Sequence, residues 1–362
     1  MPTVHLQDRF FTEKERTLVE SDGLSASAFR WDSGVAGLRI KNRRGEMVLL
    51  PYQGQQIWSA TFDGRPMQMV SMYEAPRATQ SFLDTYGCLF VHCGATAMGV
   101  GGPEDDHPLH GELPNAPYQE ARLEVGTDEG GAYIALGGAY HHTVAFNHNY
   151  LFEPRVKLHA DSALFDIGAR LSNLKKTPMD WMYMGHLNFR PLDGGRIHYS
   201  APCTPEATRV FVKVPEHIQG GAGLERYVEF LEALAKDPGI HTEFGDGQVF
   251  DPEAVFSIDY LADADGWAHS VHRHPDGYAH YIAHRPDQLG TGIRWIARTP
   301  DQDALGLCLP STAEHQGYSA EKAKGNVGQL AAGESAEIQL RAGLLEPDQA
   351  QERIGAIDAI LQ

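Results

Sequence analysis

Short runs in which apolar and polar residues alternate constrain the fold of this chain more than any other feature. "MVLLPYQGQQIWSATF", "GAYIALGGAYHHTVAFNHNYLF", "RVKLHADSALFDIGARLSN", "RVFVKVP", "GYAHYIAH" and "GTGIRWIART" each carry a period close to two. On a pleated strand successive side chains point to opposite faces, so such a run buries one face against a core. Gly, Pro, Asp and Asn interrupt the runs, as in "LADADGW", "HPDGYA" and "LAAGES", and these are the residues that turns require. The expected fold class is therefore all-β: one large antiparallel sandwich over residues 1–362, with a few short helices. Two stretches carry the helical period instead. "GLERYVEFLEALAKDPG" puts Leu224, Tyr227, Val228, Leu231 and Leu234 on one stripe, a helical insertion expected around 222–237. "EPDQAQERIGAIDAILQ" is expected to form a C-terminal helix around 346–361.

A length of 362 residues suits one large β domain. The formal charge of -18 argues against nucleic acid as a partner and favours a neutral or cationic small ligand. Cys88, Cys93, Cys203 and Cys308 lack paired zinc-type spacing, and no charged-then-apolar leader opens the chain. A reduced, cytoplasmic setting is the expectation. No apolar run approaches a membrane span. Oligomeric state leaves no mark on the sequence.

"DDHPLHGELPNAP", Asp105 to Pro117, concentrates chemistry in a segment whose prolines forbid a regular helix or central strand. It holds His107 and His110, a glycine after the second, and Glu112. His107 alone reads as a structural side chain. The glycines of "CGATAMGVGG" read as tight turns rather than a phosphate cradle, since no "GK[ST]" accompanies them. Cys93 beside them reads as buried.

"CGATAMGVGGPEDDHPLHGELPNAP", followed by "ARLSNLKKTPMDWMYMGHLNF", resembles the aldose 1-epimerase (galactose mutarotase-like) superfamily, in a bacterial branch with a glycine-rich stretch before the "LHG" loop. The correspondence runs from "YQGQQIW" to "GQLAAGES". The resemblance implies a twisted β-supersandwich with a sugar bound in an open groove on one sheet. It implies that His110 contacts the sugar and that His186, in "MGHLNF", is the general acid, the two facing one another across one groove. Histidine suits acid or base duty because its ordinary pKa lies near neutrality. Asn188 would share the face of His186 on a strand, and Asn115 follows the loop; both amides can orient hydroxyls, although Asn115 beside a proline equally fits a turn. Arg77 and Arg273 are candidate substrate contacts, because an acidic sugar would want an arginine clamp.

One departure matters. Relatives of this kind carry a glutamate base on a late strand, and aligning "LGLCLPSTAEHQGYSAEKAKGNVGQLAAGES" on that pattern puts Leu309 in its place. Leucine cannot take a proton, so Glu314 or His315 moves into the role, or the chemistry differs; a slip of five residues in the alignment would restore Glu314. A second feature is "AHSVHRHPDGYAHYIAHRP", with five histidines. His272 and His274 alternate, so a strand puts both on one face. With His110, His186 and Glu112 they could hold a divalent metal ion. Three functions follow. The first is a carbohydrate isomerase of aldose 1-epimerase type that uses His110, His186 and Glu314 and requires no cofactor. The second is a metal-assisted isomerase, epimerase or β-eliminating lyase on a keto-sugar. The third is a carbohydrate-binding protein that lost the base.

Overall fold

The computed structural model describes residues 2–212 and 224–362, and the alternating runs become the strands of two large antiparallel sheets. The run Met47–Phe62 supplies the end of the strand Gly45–Leu49 and all of Ile57–Phe62, with a turn between them. The longest run gives a hairpin, Gly131–Val144 with His148–His159, which continues into Leu164–Asn173. Along Leu164–Asn173 every second side chain is buried, as the alternation requires. Of "RVFVKVP", the strand Thr208–Val210 is described, while Lys213 to Pro215 lie outside the described residues.

Among the described residues one sheet has nine strands and the other thirteen. The nine-stranded sheet centres on Leu164–Asn173, Ser335–Leu345 and Ala279–His284. The larger sheet runs Phe250–Ile258, Thr291–Arg298, Asp303–Ser311, Met179–Leu187 and Phe90–Ala95 in its middle. A continuous core that includes Phe62, Phe90, Phe152, Phe165, Tyr183, Ile296, Leu307 and Leu340 fills the space between the sheets. A second apolar cluster covers the other face of the larger sheet, including Trp58, Val91, Cys93, Met182, Met184, Ile293, Trp295 and Leu309. Alternation along Met179–Leu187 makes the assignment: Tyr183 and Leu187 enter the inter-sheet core, while Met182, Met184 and then His186 point the other way. A sheet buried on both faces explains why several of its strands lack a wet side.

The first expected helix spans Leu224–Lys236; residues 222 and 223 lie outside the described residues. Tyr227, Leu231 and Leu234 are buried in the main core and Val228 is half-buried, each leucine contributing about 1.5–3 kcal/mol by leaving water. The C-terminal helix spans Pro347–Ile360 and covers the outer face of the nine-stranded sheet with Ala350, Ile354 and Ile357. A third helix, Tyr318–Lys324, follows Gly317 and ends at Gly325, whose φ of 80° is the left-handed conformation that glycine adopts without a Cβ clash. No helix among the described residues is long and apolar enough to cross a membrane.

Candidate active site

The "LHG" loop is fastened to the strand Phe90–Ala95 by its backbone. Gly94 N–H donates to the His110 carbonyl and Leu113 N–H to the Gly94 carbonyl, both at 2.9 Å. Gly111 has a φ of 81°, and a Cβ there would collide with the carbonyl oxygens of Gly94 and Ala97; only glycine permits so close an approach. His110 itself has a φ of 61°, an uncommon conformation for a residue with a Cβ. Glu112 secures the loop from below: its carboxylate accepts from Thr96 N–H at 3.0 Å, Thr96 Oγ1 at 3.2 Å and the Tyr150 hydroxyl at 2.8 Å. Glu112 is therefore spent on holding the loop in shape.

A cavity of about 260 Å³ opens beside this loop on the outer face of the larger sheet. Its polar groups are His110, His186, His315, Glu253 and Tyr86, and Phe82, Met184, Ile293, Trp295 and Leu309 supply apolar walls. The rings of His110 and His186 meet edge to face with centroids 5.4 Å apart. Phe82 packs on His110 at 4.9 Å, and Trp295 on His186 at 5.5 Å. The Tyr86 hydroxyl donates to Asn188 Oδ1 at 3.0 Å and lies 3.5 Å from His186 Nδ1. Trp295 Nε1–H donates to Glu253 Oε2 at 2.6 Å, which fixes the carboxylate at the wall.

Burial sets the protonation states. It lowers His186 to about 4, against a smaller opposing effect of the Asn188 hydrogen bond. Burial also pushes His110 well below its ordinary value, with the neighbouring His186, His315 and His107 adding to the shift. His315 falls to about 4 for the same first reason, although Glu314 and Glu321 pull it back. At neutral pH the cavity therefore presents uncharged imidazoles. His110 Nδ1 and His315 Nδ1 are buried without a hydrogen-bond partner among the described residues, which marks them as groups with bonding capacity to spare.

The remaining expected residues sit elsewhere. Glu314 is outside the cavity lining: Arg209 Nε donates to one carboxylate oxygen at 3.0 Å and Lys324 Nζ to the other at 2.7 Å. Burial raises its pKa, but these two cations outweigh that and leave it lowered. Asn115 is buried, accepts from Gln53 at 3.1 Å and Gln56 at 2.8 Å, and donates to the Ser81 carbonyl at 3.2 Å. It thus supports the segment that delivers Phe82 and Tyr86. Asn188 is fully buried, donating to the Cys88 carbonyl at 3.0 Å while it holds Tyr86. Arg77 is exposed, its guanidinium 5.0 Å from the Tyr73 ring. Arg273 is exposed on a strand of the nine-stranded sheet. His107 lines a separate surface pocket with Glu112 and His142, and its Nε2 accepts from Tyr318 N–H at 3.3 Å. Cys93 is buried and its thiol is pushed well up by that burial.

The five-ligand metal set is not assembled. His272 and His274 lie together on the nine-stranded sheet, His110 and His186 on the outer face of the other, and Glu112 beneath the loop. The sheets separate ligands that the sequence left free to meet.

Sequence reasoning missed Glu253, Tyr86, Phe82 and Trp295. Glu253 had a readable signal: in "FDPEAVFSI" it is two residues before Val255 and shares its face, and both line the cavity. Val255 pairs with Trp295, which explains the diagonal Trp295–Glu253 bond. Leu309 does line the cavity, and a β-bulge puts it there. Ile293 pairs with Leu309 but Trp295 pairs with Gly306, so the strand Asp303–Ser311 has one residue extra between them. The bulge turns Leu309 onto the cavity face although Leu305 and Leu307 point into the inter-sheet core.

The two antiparallel sheets have the fold of a galactose mutarotase-like β-sandwich, as their likeness to solved structures shows. A solved structure of a "putative aldose 1-epimerase" from Klebsiella pneumoniae superposes with a TM-score of 0.83 at 19% identity, covering 100% of this chain and 96% of that one. A galactose mutarotase-like protein from Clostridium acetobutylicum gives a TM-score of 0.56 at 10% identity, with 92% and 98% covered. A galactose mutarotase related enzyme from Lactobacillus acidophilus gives 0.55 at 12% identity, with 87% and 99% covered. At such identities the likeness is one of fold. A family model described as a domain of unknown function, DUF4432, matches residues 32–207, a span that contains the "LHG" loop and His186. No curated protein matches the chain by sequence.

Proposed function

We propose that this chain is a cytoplasmic, carbohydrate-active isomerase of aldose 1-epimerase type, acting on a small sugar in the His110–His186 cavity, with Glu253 as base and His186 as acid. The observation that carries the reading is the convergence of one carboxylate and two facing histidines on a single cavity with aromatic walls. Aromatic faces suit the apolar faces of a sugar ring, and a few polar groups fix its orientation. Free cysteines, three of them buried, accord with a reducing compartment.

The chemistry balances on these groups. Glu253 takes the proton of the anomeric hydroxyl; the O–H electrons form the C1 carbonyl, and the bond from C1 to the ring oxygen breaks. The ring oxygen keeps that pair and takes a proton from His186. Rotation about C1–C2 turns the other face of the aldehyde to the hydroxyl, and reclosure returns both protons. An uncharged imidazole can serve because a leaving alkoxide is itself strongly basic and a dry cavity strengthens the hydrogen bond it accepts. His110 holds the sugar from the loop side, and no cofactor enters the reaction.

His186→Ala is expected to lower the catalysed rate of anomer exchange by about 10²–10⁴, the usual loss for a positioned acid, with thermal unfolding little changed. Nuclear magnetic resonance exchange between α- and β-aldose signals reads this rate directly; a variant with full turnover would remove His186 from the mechanism. Because burial holds His186 near 4, its charge does not change between about pH 5.5 and 8, and kcat/KM is expected to be level across that window. A drop centred near pH 6.5 would show that the acid is an ordinary imidazolium and contradict this scheme.

A further inference from the structure

His272, His274 and His280 form a second cluster, away from the cavity, that the proposed reaction does not use. His272 lies on the strand Ala268–Arg273, His280 on the antiparallel strand Ala279–His284, and the two are directly paired. His274 sits at the start of the intervening turn, where its N–H donates to the Tyr278 carbonyl at 2.7 Å and its carbonyl accepts from Gly277 at 3.0 Å. The hairpin therefore fixes the backbone positions of all three residues relative to one another. Ring centroids are 5.2 Å apart for His272–His274, 4.4 Å for His274–His280 and 5.7 Å for His272–His280.

All three are buried, at 0%, 4% and 1% exposure. Both ring nitrogens of His272, both of His274 and Nδ1 of His280 have no hydrogen-bond partner among the described residues. Buried polar atoms are ordinarily paired, so this concentration of unpaired nitrogen atoms at one point calls for a ligand. One nitrogen from each ring lies within 4.8 Å of the others. Zinc–nitrogen bonds of about 2.0–2.1 Å in a tetrahedral site put ligand atoms about 3.3 Å apart, so each ring needs to shift by about an ångström or less. Packing already orients two of the rings. His280 stacks on Phe189 at 4.7 Å with planes 10° apart, and Phe244 meets His272 edge to face at 5.4 Å.

We propose that His272, His274 and His280 bind one divalent transition-metal ion of zinc type, with a water molecule as fourth ligand, and that this ion clamps the Ala268–His284 hairpin. Metal ligation needs neutral imidazole, and burial disfavours the protonated form of all three, His274 to about 4. Nitrogen ligands without a carboxylate select zinc, cobalt, nickel or copper over magnesium or calcium. Of the cations that act on these rings, Arg65 is paired with Asp276 and Arg298 with Asp193 and Asp303, while the Arg294 guanidinium, which also disfavours charge on His272, is held by the Leu307 carbonyl, the Tyr260 hydroxyl and His241 Nε2. The ion is structural, so its presence is separable from turnover in the His110–His186 cavity.

The test uses the full chain expressed without a histidine tag, because 18 histidines are already present. Elemental analysis after purification without chelator is expected to find one zinc-type ion per chain. Chelation is expected to lower Tm by at least about 5 °C, and added Zn²⁺ to restore it. Loading the apo-protein with Co²⁺ should give the intense visible absorption of a tetrahedral site. His274→Gln and His280→Gln should each cut retained metal at least tenfold, whereas His186→Ala should retain it in full. An apo-protein that takes up no Zn²⁺ or Co²⁺ at micromolar concentration would overturn the proposal. So would metal lost from His186→Ala but kept by both glutamine variants. The cobalt spectrum of the unsubstituted chain decides the matter even if a variant fails to fold.

Discussion

Glu253→Gln is expected to lower the catalysed rate of anomer exchange by about 10²–10⁴ while leaving Tm within about 2 °C. The substitution keeps the shape and an oxygen that can still accept from Trp295 Nε1, now at 2.6 Å from the carboxylate, so the wall of the cavity survives. What goes is the ability to take a proton. Leu309 lines the same cavity and has no ionisable atom, and the histidines that share it are more urgently needed as donors and contacts. Glu314→Gln provides the contrast. Its carboxylate is committed to Arg209 and Lys324, so turnover should stay within a few-fold of the unsubstituted chain. A silent Glu253→Gln together with a crippled Glu314→Gln would reverse the assignment. If both were silent and His186→Ala were too, turnover would not come from these groups and the assignment of the cavity as the active site would fail.

The all-β architecture was legible because burial on a pleated sheet leaves a local trace. In "LFDIGARLSN" Phe165, Ile167, Ala169 and Leu171 alternate with Asp166, Gly168, Arg170 and Ser172, and it is the first set that is buried in the inter-sheet core. His110 and His186 were legible only as members of motifs, since no local period says that a loop and a strand 76 positions on will meet. Leu309 was placed at the site by aligning one short segment, and it does line the cavity. Glu253 leaves no trace near Leu309, where the chain offers Glu314 five residues along. The strand Phe250–Ile258 reaches that cavity from across Thr291–Arg298, and strand order is a property of the whole sheet. The metal expectation met the same limit. His272 and His274 lie together in one hairpin, but the histidine that clusters with them is His280 from the same hairpin rather than His110 from the other sheet.

The bulge that turns Leu309 toward the cavity has its own support, and removing that support is expected to unsettle both fold and site. Arg294 is fully buried between the sheets and no carboxylate among the described residues pairs with it. Its Nε and Nη2 donate to the Leu307 carbonyl at 3.0 and 2.7 Å, Nη2 also to the Tyr260 hydroxyl at 3.0 Å. Nη1 donates to His241 Nε2 at 2.7 Å, an acceptor because burial keeps that imidazole uncharged and its Nδ1 donates to the Pro238 carbonyl. The guanidinium also lies over the Tyr199 ring at 4.6 Å. Leu307 belongs to the extra-residue segment of the bulge, whose carbonyl cannot find its partner in the regular ladder. Arg294→Ala would leave that carbonyl, the Tyr260 hydroxyl and His241 Nε2 without their donor and would open a large void. The combined cost is about 3–5 kcal/mol of unfolding free energy, measured by urea denaturation. Arg294→Met fills most of the void and removes the buried charge, so it should recover a sizeable part of that loss without restoring the bulge. If the bulge aims Leu309 at the cavity beside Trp295 as described, Arg294→Met should therefore be better folded than Arg294→Ala and still turn over about tenfold or more slowly than the unsubstituted chain. A stable Arg294→Met with full turnover would show that the sheet holds the bulge without the guanidinium.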